Sequence, residues 1–272
     1  MAGAGTIPKF AWPATIDSTN DVIRFEEWDP TADGGAGAWE AGDADITDGD
    51  HFWRGDGTAN DLAARLQAAL IAASPNSATY AVALTSTGIL RIIMTQIGTA
   101  ENFRLIWGTG DASSVLYGFI GGTDTASTSG GFATLYSDHQ VGNVWLPEQV
   151  YVDDSENVPQ YRSTRTVMLN GRQRVQRWGS GRTLRRVLVD ILPPNKVFQA
   201  EESRTQESFQ RFYAWVAAGG RFEFAPDWTA TPAAWATYVI NDDAWLEEWP
   251  ATIPHGTIRR YNIELPLLSY VA

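Results

Sequence analysis

Residues 164–178 read TRTVMLNGRQRVQRW, and the dipeptide at their centre decides the fold class. Asn170-Gly171 is the pair favoured where both residues of a two-residue turn need positive φ. Its flanks, Thr164–Leu169 and Gln173–Trp178, suit strands, so the stretch is expected to form an antiparallel hairpin. Downstream, Thr183–Leu192 reads as a long strand stopped by Pro193-Pro194. Glu201–Ala218 follows as a helix, with Phe209, Phe212 and Val216 in one stripe, Tyr213 widening it and Gly219-Gly220 as the stop. Arg221–Ala225 resumes as a strand with Phe222 and Phe224 on one side. In the closing segment, Thr257–Leu268, Tyr261, Ile263 and Leu265 alternate against Arg260, Asn262 and Glu264.

Upstream, the same reading gives strand, loop, helix, hairpin, strand and short helix. Asp21–Trp28 is the strand, and Asp29–Gly57, rich in Gly and Asp, is the expected loop. Thr58-Ala59-Asn60-Asp61 resembles a capping box with Asp in the last place. The helix it starts places Leu62, Leu66, Ala69, Leu70 and Ala73 on one face, and Pro75 stops it. Tyr80, Val82 and Leu84 alternate, Thr87-Gly88 turns the chain, and Ile89–Thr95 returns it. Asn102–Trp107 places Phe103, Leu105 and Trp107 on one face. Asp111 is expected to cap a short helix ending at Gly118, and Thr123–Gly131 to be a surface loop. Strands outnumber helices, so the expected architecture is α+β: mainly antiparallel, sandwich-like sheet with two covering helices. The expected boundary lies between Trp145 and Tyr161, dividing an acidic α+β domain (1–150) from a β-rich domain with one long helix (151–272). Trp-Pro-Ala-Thr-Ile occurs at 12–16 and 249–253 with unmatched flanks, and is not a repeat.

The composition narrows function by exclusion. The chain has 272 residues, 44% hydrophobic, with 12 Trp and no Cys. That is too apolar for a disordered chain, and thiolate metal sites, disulfides and thiol catalysis are ruled out. No apolar stretch reaches bilayer length and the N-terminus has no signal-like apolar core, so no membrane partner is expected. The net charge of -12 is unevenly spread. Residues 1–160 hold 6 Lys+Arg against 21 Asp+Glu, whereas residues 161–272 hold 14 against 11. Arg162, Arg165, Arg172, Arg174, Arg177, Arg182, Arg185 and Arg186 follow one another with no acid between them. Arg172 and Arg174 share a strand face, and Arg185 and Arg186 point to opposite faces. Three readings stand: a protein interface, a solvated face, or a polyanion contact. Interleaved aromatics, apart from Trp178, are missing, and the other half is strongly acidic. Both facts favour an interface in which Arg forks meet carboxylates, with no sequence-specific nucleic acid as partner.

Other residues carry less. Asp43–Asp50 has the look of a calcium loop, but counting from Asp43 puts Thr47 at position 5 and Asp48 where the turn needs Gly. A solvated acidic loop is the preferred reading, with a calcium site of another kind left open. His51, His139 and His255 stand far apart, outside any HxH or HExxH pattern, and no G-x-S-x-G elbow is present. Asp153-Asp154, Asp242-Asp243 and Glu247-Glu248 are adjacent acids, which on a strand point to opposite faces and do not make a facing acid and base. Gly108-Thr109-Gly110 and Gly118–Gly122 lack the Lys-Ser/Thr of a phosphate loop. The Trp residues are expected in packing, Trp107, Trp178 and Trp215 among them, although an exposed one would suit a sugar. No catalytic, cofactor-binding or metal residue and no cofactor is assigned.

Two sets of motifs carry a resemblance. Arg185-Arg186-Val187-Leu188-Val189-Asp190, the aromatic helix, Gly219-Gly220-Arg221-Phe222-Glu223-Phe224-Ala225-Pro226-Asp227-Trp228 and the final Tyr261-Asn262-Ile263-Glu264-Leu265 resemble tail proteins of tailed bacteriophages, the distal tail and baseplate components above all. Gly55-Asp56-Gly57-Thr58 before a Leu/Ala helix, the hairpin, and Gly118-Phe119-Ile120-Gly121 are similar to another virion pattern. The resemblance implies a non-enzymatic virion protein, assembled in the host cytoplasm as a homo-oligomeric ring that joins tail tube to adsorption apparatus. Copies of itself and other virion tail proteins are the implied partners. The alternatives are a carbohydrate-binding, receptor-recognising module and, behind it, a glycoside hydrolase.

Overall fold

A computed structural model describes residues 8–95, 100–108, 112–146, 149–167, 173–190, 204–240 and 263–269. The strands in the first half are β1 (Lys9–Ala11), β2 (Ala14–Ile16), β3 (Val22–Asp29), β4 (Ala38–Asp45), β5 (Gly49–His51), β6 (Thr79–Leu84) and β7 (Ile89–Thr95). Then come β8 (Asn102–Ile106), β9 (Thr123–Thr125), β10 (Ser127–Ser129), β11 (Phe132–Gln140) and β12 (Val144–Trp145). Beyond them lie β13 (Gln149–Val167), β14 (Gln173–Asp190), β15 (Phe222–Ala225), β16 (Ala236–Ile240) and β17 (Ile263–Ser269). Every strand pairing described is antiparallel, and two longer helices, Leu62–Ala73 and Arg204–Ala217, accompany the sheets. The fold is α+β and mainly antiparallel, as the hairpin dipeptide implies.

Two four-stranded sheets, in the orders β4-β3-β8-β9 and β10-β11-β7-β6, build the first core. Strict alternation on β3, β7 and β8 puts Ile23, Phe25, Leu90, Ile92, Met94, Phe103 and Leu105 inside. The sheets meet through Tyr80, whose ring is edge-on to Phe25 at 6.0 Å and to Phe103 at 5.4 Å. The Leu62–Ala73 helix packs on β4 and β6 through Leu62, Leu66, Ala69 and Leu70. Gly42 makes that approach possible, since a Cβ there would lie 2.6 Å from the Ala73 carbonyl oxygen and 2.7 Å from the Phe25 ring.

The second core lies under a seven-stranded sheet, β12-β1-β15-β16-β17-β14-β13. It draws β1 and β12 from before the expected boundary at 150 and the other five strands from after it or across it. Phe10 on β1 stacks on Trp145 at 4.9 Å and Phe224 at 4.5 Å, and Phe212 of the second helix lies 5.0 Å from Phe222. The stripe residues Phe212 and Val216 are both buried.

Several local expectations are corrected. Residues 29–57 are not a loop, because β4 and β5 lie within them: Gly42 and Ala44 alternate with acids and pair with β3, small residues taking the place of β-branched ones. The capping residue is Asp61 rather than Thr58; its carboxylate accepts from Ala63 N at 3.2 Å and Gly57 N at 3.0 Å. Residues 113–118 form successive turns, with Leu116, Tyr117 and Gly118 each bonded to the carbonyl three residues back, instead of a helix. Asp111 lies outside the described residues. The 123–131 segment carries β9 and β10 along the edges of both sheets, with Ala126 buried between them. Thr183–Leu192 does not start a new strand, since β14 runs unbroken from Gln173 to Asp190.

Candidate functional site

β13 and β14 pair from Gln149 opposite Asp190 up to Val167 opposite Gln173. Asn170, Gly171 and Arg172 lie outside the described residues. β17 pairs with β14 only from Leu184 to Val189. Among the described residues, 158–167 and 173–183 therefore have only each other as strand partners, a two-stranded ribbon roughly 30 Å long at the usual rise per residue.

Register distributes the arginines over both faces of this ribbon. Arg162 stands opposite Trp178 and Thr166 opposite Arg174, which puts Arg162 and Arg174 on one face. Ser163 opposite Arg177 and Arg165 opposite Val175 put Arg165 and Arg177 on the other. Arg182 is opposite Gln160. Arg185 and Arg186 belong to the sheet proper, opposite Leu267 and Pro266 on β17, and Arg186 also stands opposite Asp153. The described ribbon thus carries five arginines, and the chain has no acid between Val158 and Thr183.

The acidic half presents exposed carboxylates at Asp43, Asp45, Asp48 and Asp50. Arg24 holds Asp43 at 3.0 Å, and Asp50 accepts from Thr15 at 2.8 Å and Arg221 at 3.2 Å. Because Asp43 and Asp45 project from β4 instead of curling into a loop, these carboxylates do not converge, and no metal-holding group of three ligands occurs among the described residues. His51 is buried with Nε2 2.7 Å from the Thr47 carbonyl, His139 lies on β11, and His255 is outside the described residues. Asp242-Asp243 and Glu247-Glu248 are outside them as well, and Asp153-Asp154 lies on β13.

Among the described indoles whose side chains are placed, Trp12, Trp53, Trp107, Trp145 and Trp228 are buried. Trp28 and Trp39 are half-buried side by side, 5.5 Å apart, and Arg104 covers Trp39 at 4.2 Å. Trp28 closes on Gly37, where a Cβ would lie 2.3 Å from its ring. Trp215 and Trp235 are half-buried as well, and Trp215 donates through Nε1 to the Arg221 carbonyl at 2.7 Å. Among the residues whose side chains are placed, the exposed large apolar ones are Ile71, Ile120, Phe132 and Tyr136, the last two on the outer face of β11.

One charged cluster escapes a sequence reading. Lys9 is completely buried on β1, its Nζ 4.0 Å from the Trp228 ring centre. Nearby, Arg54 grips Glu223 with two prongs, Nε to Oε2 at 2.6 Å and Nη2 to Oε1. Burial pushes the Lys9 amine down to about 7, against the pull of Asp61 and Asp56. The bond to Glu223 holds the Arg54 guanidinium above its usual value. Only a lone cation inside the apolar run Lys9-Phe10-Ala11-Trp12 hints at this in the sequence.

Against known proteins, no protein-family model matches the chain, and no curated protein or solved structure is significantly similar to it.

Proposed function

We propose that the protein is a structural component of a tailed-phage virion, placed in the tail tip or baseplate, that assembles into a closed ring with copies of itself. The arginine-bearing ribbon of β13 and β14 is the observation that carries this reading. It is acid-free over Val158–Thr183, has no third strand among the described residues, and belongs to a chain whose first 160 residues carry a large excess of carboxylates. Such an arm gains most by lying on the acidic half of the next copy, where planar guanidinium forks pair with carboxylates. Head-to-tail contacts of that kind close into rings when the rotation between copies divides the circle. The exposed Phe132 and Tyr136 add apolar area of the sort assemblies cover. The ring would join tail tube to adsorption apparatus, through other tail proteins and within the virion.

The test is negative-stain microscopy and sedimentation of the purified protein, beside a variant with Arg172, Arg174 and Arg177 all changed to Glu. A ring of defined symmetry that falls to monomers in the variant is the expected result. A monomeric wild-type protein, or a variant that still forms the same ring at low and high salt, defeats the electrostatic mechanism. Carbohydrate binding gains no support from the five buried indoles or from Trp39, which Arg104 covers.

A further inference from the structure

The outward face of the sheet β10-β11-β7-β6 leaves two aromatic rings open to solvent. On β11, Phe132 and Tyr136 are 48% and 54% exposed, while Ala133 and Leu135 between them point into the core. Four residues apart on an antiparallel strand, the two rings stand about 14 Å from each other. Register puts polar groups beside them. Phe132 lies between Ser129 on β10 and Thr95 on β7, and Tyr136 lies opposite Arg91. Thr134, midway, lies between Ser127 and Ile93. Beyond β7 the face flattens, because β6 sets only Ala81 and Ala83 opposite Ile93 and Arg91.

Arg91 differs from the other arginines around it. Arg24, Arg54, Arg104 and Arg221 each hold a carboxylate, and Arg65 donates to the Ala59 carbonyl. Among the described residues Arg91 makes no such pair. The acid next along β11, Asp138, accepts from Ile120 N at 3.1 Å. A half-buried guanidinium without an acceptor, beside an open ring, calls for an anion. Its planar fork suits a carboxylate or a phosphate.

Size and surroundings say what kind of anion. Four strands about 4.8 Å apart, over about 14 Å of their length, cover roughly 200 Å² in plan, far below the roughly 800 Å² that each partner gives to a stable protein interface. Hydroxyls flank the rings where the core of a protein interface would be apolar. A phosphodiester chain needs many cations, whereas residues 1–160 carry 21 Asp+Glu against 6 Lys+Arg. We infer that this face binds a short anionic saccharide, its sugar rings stacked on Tyr136 and Phe132 and its carboxylate or phosphate held by Arg91. Sugars present apolar C–H faces and hydroxyl edges, which the rings and the flanking Ser129, Thr134 and Thr95 match in turn. The site stands apart from the arginine ribbon and does not depend on ring assembly.

The experiment is a glycan array probed with the labelled full chain. It carries uronate, sialate and phosphorylated oligosaccharides beside neutral ones, with an oligothymidylate as a further spot. The expected result is binding confined to anionic glycans and weakened at least about tenfold by Arg91→Gln and by Tyr136→Ala. Both positions lie on the outer face, and circular dichroism checks that the variants fold. An array without a hit, equal hits on neutral sugars, preference for the oligothymidylate, or hits that both variants leave intact would each overturn the inference. A blank array together with an oligomer weakened by Phe132→Ala and Tyr136→Ala would assign the face to a second copy instead. A monomeric wild-type protein that still binds anionic glycans would defeat the ring and leave this site standing.

Discussion

Tyr80 donates its hydroxyl hydrogen to Oε1 of Glu27 at 2.7 Å, inside the core between the two four-stranded sheets. Glu27 has no exposed surface, and its remaining capacity is filled by Ser74 Oγ at 2.7 Å and Asn76 N at 3.1 Å. Burial, and then the nearby carboxylate, push the phenol well above the usual tyrosine range. The bond ties β3 to β6 and to the end of the Leu62–Ala73 helix. Tyr80→Phe removes one of three donors from a buried carboxylate and should cost about 1–3 kcal/mol, read as a lower denaturation midpoint. Glu27→Ala should cost more, since it leaves three donors facing an apolar gap.

The pH dependence contributed by Lys9 has a definite sign. Its amine is lowered from 10.5 in the open chain to about 7 in the fold. Between those values the unfolded chain binds the extra proton, so stability rises with pH, by at most about 1.4 kcal/mol per pH unit. Below about 7 and above 10.5 the contribution is flat. Chemical denaturation of wild type and Lys9→Met across this window should give curves that diverge towards neutral pH, with the Met variant the more stable.

Gly118 adopts φ +83°, and a Cβ there would lie 2.4 Å from the His139 carbonyl oxygen. Its own carbonyl accepts from His139 N at 2.9 Å, so the turn cannot back away without losing that bond. Gly118→Ala should destabilise by more than about 1 kcal/mol, the strain of a left-handed residue being joined by a backbone clash. A thermal midpoint equal to wild type would contradict this.

Asp61→Ala should cost about 1–2 kcal/mol, since the carboxylate caps the helix and also anchors Gly57 N. Asp61→Asn keeps an acceptor and should recover most of the loss. Hydrogen exchange at Ala63 reads the difference directly.

If the arm binds through guanidinium–carboxylate pairs, ring assembly should weaken as salt rises from about 0.1 to about 1 M, where screening shortens from about 10 to about 3 Å. Light scattering across that range is the measurement. Assembly that strengthens with salt would indicate an apolar contact, with Phe132 and Tyr136 the first residues to change.

Asn170-Gly171, the alternating runs on β6 and β8, and the leucine stripe of Leu62–Ala73 carried the antiparallel α+β class in the sequence itself, because periodicity and turn chemistry are local properties. β4, β9 and β10 were not legible. Apart from Trp39 and Glu40 of β4, their residues are Gly, Ala, Asp, Ser and Thr, whose strand character comes from the neighbour they pair with. The arginine block was visible as a run of charge, while its division between the two faces of the ribbon depended on the register of β13 against β14.

Sequence alone therefore determined the class of fold, the uneven charge and the absence of thiol chemistry. Only the tertiary structure decided that β1 lies between β12 and β15, and with it that Lys9 shares a face with Glu223. Those residues are more than two hundred positions apart, and no local pattern ties them. Their closeness is a consequence of strand order, which is set by how the aromatic cluster around Phe10 packs rather than by any preference of the residues themselves.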